Sequence, residues 1–112
     1  MSFVLEHAGW RTIYVNSDLP VSEFSRAADL FRPDALMLSF TLSRNINKRF
    51  EELSRITKVP IFVGGRSILN YQGLAKQHGL IPLLGSISTS LDQIADEIKR
   101  WKSSHPENAP KD

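Results

Sequence analysis

The run Val59-Pro-Ile-Phe-Val-Gly-Gly-Arg66 constrains the fold more than any other stretch of this chain, because it joins a buried-strand pattern directly to paired glycines. Four apolar residues in five, two of them β-branched valines, predict a strand covered on both faces. Sheets of that kind are parallel, with helical crossovers on their faces. Two glycines at the strand's carboxyl end leave no Cβ, so another group can approach the backbone closely. In open parallel sheets ligands bind at that end. A tight strand-to-helix turn needing positive φ explains the same glycines without any ligand, and both explanations stand at this point.

The rest of the chain alternates in step with this strand. Residues 11–16 predict a first strand, ended by Ser17-Asp18-Leu19-Pro20, with proline suited to the first turn of a helix. Val21, Phe24, Ala27, Ala28 and Phe31 then recur at helical spacing until Pro33 stops the helix. Residues 35–42 form an apolar, central second strand, and Ile46, Phe50, Leu53 and Ile56 mark the next helix. Residues 59–63 are the third strand. Tyr71, Leu74 and Ala75 suggest a short helix closed by Gly79. Residues 80–84 are the fourth strand, placed at a sheet edge by Pro82. Ser90 and Gln93 have capping-box spacing at the start of a last helix striped by Leu91, Ile94, Ala95, Ile98 and Trp101. The expected core comprises Ile13, Val15, Leu36, Leu38, Ile61 and Val63 from strands, with Phe24, Phe31, Phe50, Leu53, Ile94 and Ile98 from helices.

This pattern predicts one α/β domain over residues 1–102, a parallel sheet with helices on both faces, followed by a polar tail over 103–112. Phe3, Val4, Leu5 and Ala8, with Gly9 as a cap, suggest the last turns of a helix. A helix end at the start of such a fold implies a strand and most of a helix upstream.

Composition narrows the chemistry. The absence of cysteine excludes disulfides, thiolate catalysis and zinc-thiolate sites, and suits the cytoplasm. Apolar runs are too short to span a bilayer, and no signal peptide is expected. Net charge is +2 with acids and bases interleaved. Arg44, Lys48 and Arg49 could face a phosphate, but Glu51 and Glu52 follow at once, which favours a solvated helix face with local ion pairs. No direct nucleic-acid contact is expected. No paired carboxylates lie in an apolar run, and no nucleophile–histidine–acid set or phosphate-binding glycine loop appears, so no catalytic residues are assigned. His78 beside Gly79 suggests a charge at a helix carboxyl end, and His105 lies in the tail; neither suggests a metal ligand from sequence.

Glu6-His-Ala-Gly-Trp-Arg-Thr-Ile-Tyr-Val15, Asp18-Leu-Pro20, Pro33-Asp-Ala-Leu-Met-Leu-Ser-Phe-Thr-Leu42 and the glycine-paired strand, taken in order, carry a resemblance. From Leu5 to Trp101 the chain resembles the cobalamin-binding domain of corrinoid enzymes and of MerR-type transcription regulators, most closely the sensor domain of the latter. The resemblance implies a flavodoxin-like, Rossmann-like domain lacking its first strand. The family's Asp-x-His-x-x-Gly loop, whose histidine ligates cobalt, is absent, and His7 lies too late to replace it. Its Ser-x-Thr element corresponds to Ser39-Phe-Thr41, with Ser43 beside the nucleotide base, and its Gly-Gly to Gly64-Gly65. The resemblance implies a groove for the cofactor's nucleotide tail made by Ser39, Thr41, Ser43, Gly64, Gly65, Gly85 and Ser86, with no metal ligand from the protein. It further implies a sensory or regulatory module rather than an enzyme, binding adenosylcobalamin or methylcobalamin unless the cofactor has been lost. A homo-oligomer or partner domain would cover the sheet. Read without the family, Ser39 can bond a neighbouring carbonyl, Ser43 can cap the following helix, and Gly85 can be a plain turn. A cofactor-free interaction module of the same ancestry, and an unrelated flavodoxin-like nucleotide binder, are the alternatives. The lack of a lysine after the last strand counts against a receiver-type version of the latter.

Overall fold

The computed structural model describes residues 2–16, 21–39, 46–56, 59–85 and 87–105. Five strands form one sheet in the order of their occurrence: β1 (Ser2–His7), β2 (Trp10–Asn16), β3 (Ala35–Ser39), β4 (Ile61–Gly64) and β5 (Ile81–Pro82). β2 to β5 are parallel neighbours, connected through α1 (Val21–Phe31), α2 (Ile46–Leu53), and a 3-10 turn (Arg66–Asn70) followed by α3 (Gln72–Gln77). α4 (Ile87–Ser104) follows β5.

The opening segment departs from expectation. Residues 2–7 are not the end of a helix but a strand, antiparallel to β2, with Val4 opposite Ile13 and His7 opposite Trp10. Ala8 and Gly9 both take positive φ, 55° and 86°, the backbone that a two-residue hairpin turn requires. Gly9 therefore turns a hairpin rather than capping a helix. The described sheet has five strands instead of four, and one of them is antiparallel. The strand at residues 10–16 pairs directly with Ala35–Ser39.

Each parallel crossover advances by one strand in the same direction. Right-handed connections of that kind leave their helices on one face. The packing agrees: Leu36, Leu38, Ile61 and Val63 bury against Phe50, Leu53, Ile68 and Ala75 on this face. The alternate residues Ala35, Met37 and Phe62 point to the other face, where Ile94 and Ile98 of α4 cover them together with Leu83. β3 and β4 are buried throughout on both faces, apart from the half-buried Ser39.

The predicted core residues Ile13, Leu36, Leu38, Phe50, Leu53, Ile61, Val63, Ile94 and Ile98 are all buried. Phe31 is not: it is 60% exposed in the last turn of α1, and the buried position beyond it belongs to Pro33. Arg32, at φ 44°, ends the helix directly after it, so Phe31 stands in the terminal turn with its side chain exposed. Val15 and Phe24 fall outside the described side chains. α4 begins at Ile87, three residues before the expected cap, so the Ser90/Gln93 spacing falls inside the helix and Ser90 is buried. β5 is a two-residue edge strand containing Pro82. Leu83 N–H donates inward to Val63 O at 2.8 Å, which turns the donor-less Pro82 outward and blunts the edge.

One polar cluster ties the amino end of the sheet together. The Asp34 carboxylate accepts the Arg11 backbone N–H at 2.8 Å and pairs with Lys102 Nζ at 3.4 Å. The Arg11 guanidinium donates to Phe31 O, closing the carboxyl end of α1. Lys102 Nζ also lies 5.7 Å from the centre of the Trp10 ring. Among the described residues no helix is long and apolar enough to cross a membrane.

Candidate functional site at the carboxyl end of the sheet

The connection leaving β4 runs to the face of α3, whereas the connection leaving β5 runs to the face of α4. Neighbouring strands whose connections part in this way leave a crevice at their carboxyl ends, the position where open α/β sheets bind ligands. Gly64, Gly65 and Gly85 stand at this parting. Ser39, half-buried at the end of β3, is in register with Gly64 on the next strand. The structure therefore sets Ser39 beside Gly64 and Gly65, whereas Gly85 follows β5 and lines a groove that these three do not share. Thr41, Ser43 and Ser86 lie outside the described residues.

The three glycines serve different physical ends. Gly65 has φ 103° and ψ 174°, a backbone state that side chains rarely permit, and its carbonyl accepts the Ile68 N–H at 3.2 Å as the 3-10 turn begins. Gly64 is buried; a Cβ there would lie 3.3 Å from the terminal methyl of Met37 and 3.7 Å from Leu83 O. A Cβ on Gly85 would come within 2.8 Å of Thr89 Oγ1, so its lack of a side chain lets the first turn of α4 close over it.

From Gly85 a groove of about 340 Å³ runs along the outer side of β5. Its floor is Ile81, Pro82 and Leu84. Gln72 and Lys76 of α3 form one wall, and Gln93 and Glu97 of α4 form the other. Its size suits a small organic ligand, and its walls offer amides and one charge of each sign. Of these residues the sequence points to a site only at Gly85. Gln72, Lys76, Gln93 and Glu97 occupy the polar sides of their helices, where sequence gives no means of separating a groove wall from a solvated face.

The three histidines stand at the opposite end of the parallel strands. His7 pairs with Asp92 at 3.0 Å beside the hairpin turn, and His78 and His105 flank the start of β4 and β5. Among the described residues no group of three or more histidine and acidic side chains could hold a metal ion. Glu51 pairs with Arg55 at 3.6 Å one helical turn on, rather than with the basic residues that precede it. Arg44 is outside the described residues.

Comparison with known proteins gave no match to a family model, a curated protein or a solved structure.

Proposed function

We propose that this chain is a corrinoid-binding-type module of sensory or regulatory use, a flavodoxin-like domain that grips the cofactor through its nucleotide tail. The observation that carries this reading is the register of Ser39 with Gly64 at the carboxyl ends of β3 and β4, next to Gly65. A flat, mostly apolar base with one basic nitrogen needs a hydroxyl donor next to bare backbone, and Ser39 with the glycines supplies that pairing. The Met37 methyl facing Gly64 is the end of a flexible side chain and can yield to a ring.

The residues fit the tail but not the cobalt. No imidazole among the described residues stands at this end of the sheet, so on this reading the described residues hold the tail and leave the cobalt unligated. The cofactor's reactivity is its own; this chain's part is to bind and orient it, without a catalytic role.

Equilibrium dialysis of the full chain against hydroxocobalamin and adenosylcobalamin tests the reading. Retained cofactor is expected, with a visible spectrum that does not show histidine ligation. Ser39→Ala should weaken retention by about tenfold, the worth of one hydrogen bond. No retention by the parent, or retention indifferent to Ser39→Ala and Gly85→Val alike, sinks it.

A cofactor-free interaction module of the same ancestry is the second reading. The observation favouring it is that Met37 already occupies the space above Gly64, while Leu30 and Phe31 stay 66% and 60% exposed at the end of α1.

A further inference from the structure

At the amino end of the parallel strands a second groove of about 170 Å³ opens between the sheet and the carboxyl ends of α2 and α4. Two histidines line it from opposite layers: His78 follows α3 on one face of the sheet, and His105 follows α4 on the other. Pro60 and Leu80 form its apolar floor, and Ser54 brings a hydroxyl to its rim. The groove exceeds several-fold the roughly 30 Å³ that one water occupies in the liquid.

Both rings are held by their second nitrogen. His105 Nδ1 lies 2.8 Å from Trp101 O. A carbonyl can only accept, so Nδ1 carries the proton and Nε2 keeps its lone pair. The same ring stacks on the Trp101 indole, centroids 4.1 Å apart and planes 11° from parallel, which fixes its orientation. His78 Nε2 lies 3.3 Å from Asn47 Oδ1 and donates to it, leaving the lone pair on Nδ1; its ring also meets Phe50 edge-on at 6.3 Å. An imidazole whose far N–H is anchored to an oxygen is the arrangement that metal-binding histidines adopt. The electrostatics point the same way. Helix carboxyl ends carry partial negative charge, and those of α2 and α4 both reach this groove. None of the described residues lining it is a lysine or arginine.

We propose that His78 and His105 bind a divalent transition-metal cation of the zinc type in this groove, clamping the end of α3 to the end of α4 across the sheet. Imidazole nitrogen selects such ions over calcium or magnesium, which take oxygen. Ser54 Oγ, which spends its proton on Glu51 O at 2.5 Å, keeps lone pairs for the ion or one of its waters. This site lies at the far end of the sheet from the proposed corrinoid groove and does not depend on it.

Calorimetric titration of the chelator-treated full chain with zinc chloride, with nickel chloride in parallel, tests the proposal. One metal per chain is expected. His78→Gln and His105→Gln should each weaken binding at least about tenfold, whereas His7→Gln should leave it unchanged. His105 lies beyond the last helical residue and outside the buried core, so its variant keeps the fold; circular dichroism checks this. Zinc should also raise the Tm of the parent and not of the doubly substituted chain. No heat or Tm shift up to about 1 mM metal, or binding lost equally in His7→Gln, overturns the proposal.

Discussion

Replacing Gly65 by alanine separates the backbone demand at the end of β4 from the packing demand one residue earlier. At φ 103° and ψ 174°, Gly65 occupies a region that costs a residue with a Cβ about 1–3 kcal/mol, independent of neighbouring space. Gly64 has no positive φ, and its added Cβ would meet Met37 Cε at 3.3 Å. A few tenths of an ångström of movement by a terminal methyl relieves that contact, so Gly64→Ala should cost under about 1 kcal/mol. For a domain of this size each kcal/mol moves Tm by roughly 4–8 °C. Gly65→Ala should therefore melt several degrees to more than ten degrees below the parent, with Gly64→Ala close to it. Thermal and urea melts followed by far-UV circular dichroism give both numbers. Equal losses in the two variants, or a larger loss at Gly64, would refute the division between strain and packing. In that case the backbone at Gly65 is not held at positive φ.

Phe50 is fully buried between α2 and the sheet, so Phe50→Ala should cost about 3–5 kcal/mol in urea melts, while Leu30→Ala at a 66% exposed site should stay within about 0.5 kcal/mol. Asp34→Asn weakens a carboxylate shared by a backbone N–H and the mostly covered Lys102, and should cost about 1–3 kcal/mol. Because that pair is shielded, raising salt to about 1 M should remove little of the parent's stability. Asp92→Asn alters a contact with His7 whose acid is 97% exposed, and its melt should overlie the parent's.

The strands that anchor this fold were legible because burial on both faces leaves a plain mark: residues 35–39 and 61–63 are runs of apolar side chains without alternation. Pro82 announced an edge, and Gly79, at φ 76°, ended α3 as its position suggested. The opening strand was illegible for a physical reason. Phe3, Val4 and Leu5 form a run too short for periodicity to separate helix from strand, and Ala8-Gly9 suits a helix cap as well as a hairpin turn. Phe31 followed the helical spacing but falls in the terminal turn of α1, where its side chain is exposed. At the candidate site the glycines could be named in advance, because missing side chains at strand ends are visible in sequence. The walls of the β5 groove could not, and neither could the placing of His78 and His105 on one groove, which two separate crossings of the sheet bring about.

α4 is the sole described helix on its face of the sheet, and it is also the last described element. During synthesis the face bearing α1, α2 and α3 acquires its cover as each strand is completed. The face bearing Ala35, Met37 and Phe62 waits for Ile94 and Ile98 to leave the ribosome. Until then a half-clad sheet presents bare hydrocarbon to every other nascent chain nearby. The vulnerability of this domain to aggregation is thus set by when its last helix arrives, and a chain cut just before Ile94 would carry that exposed state permanently.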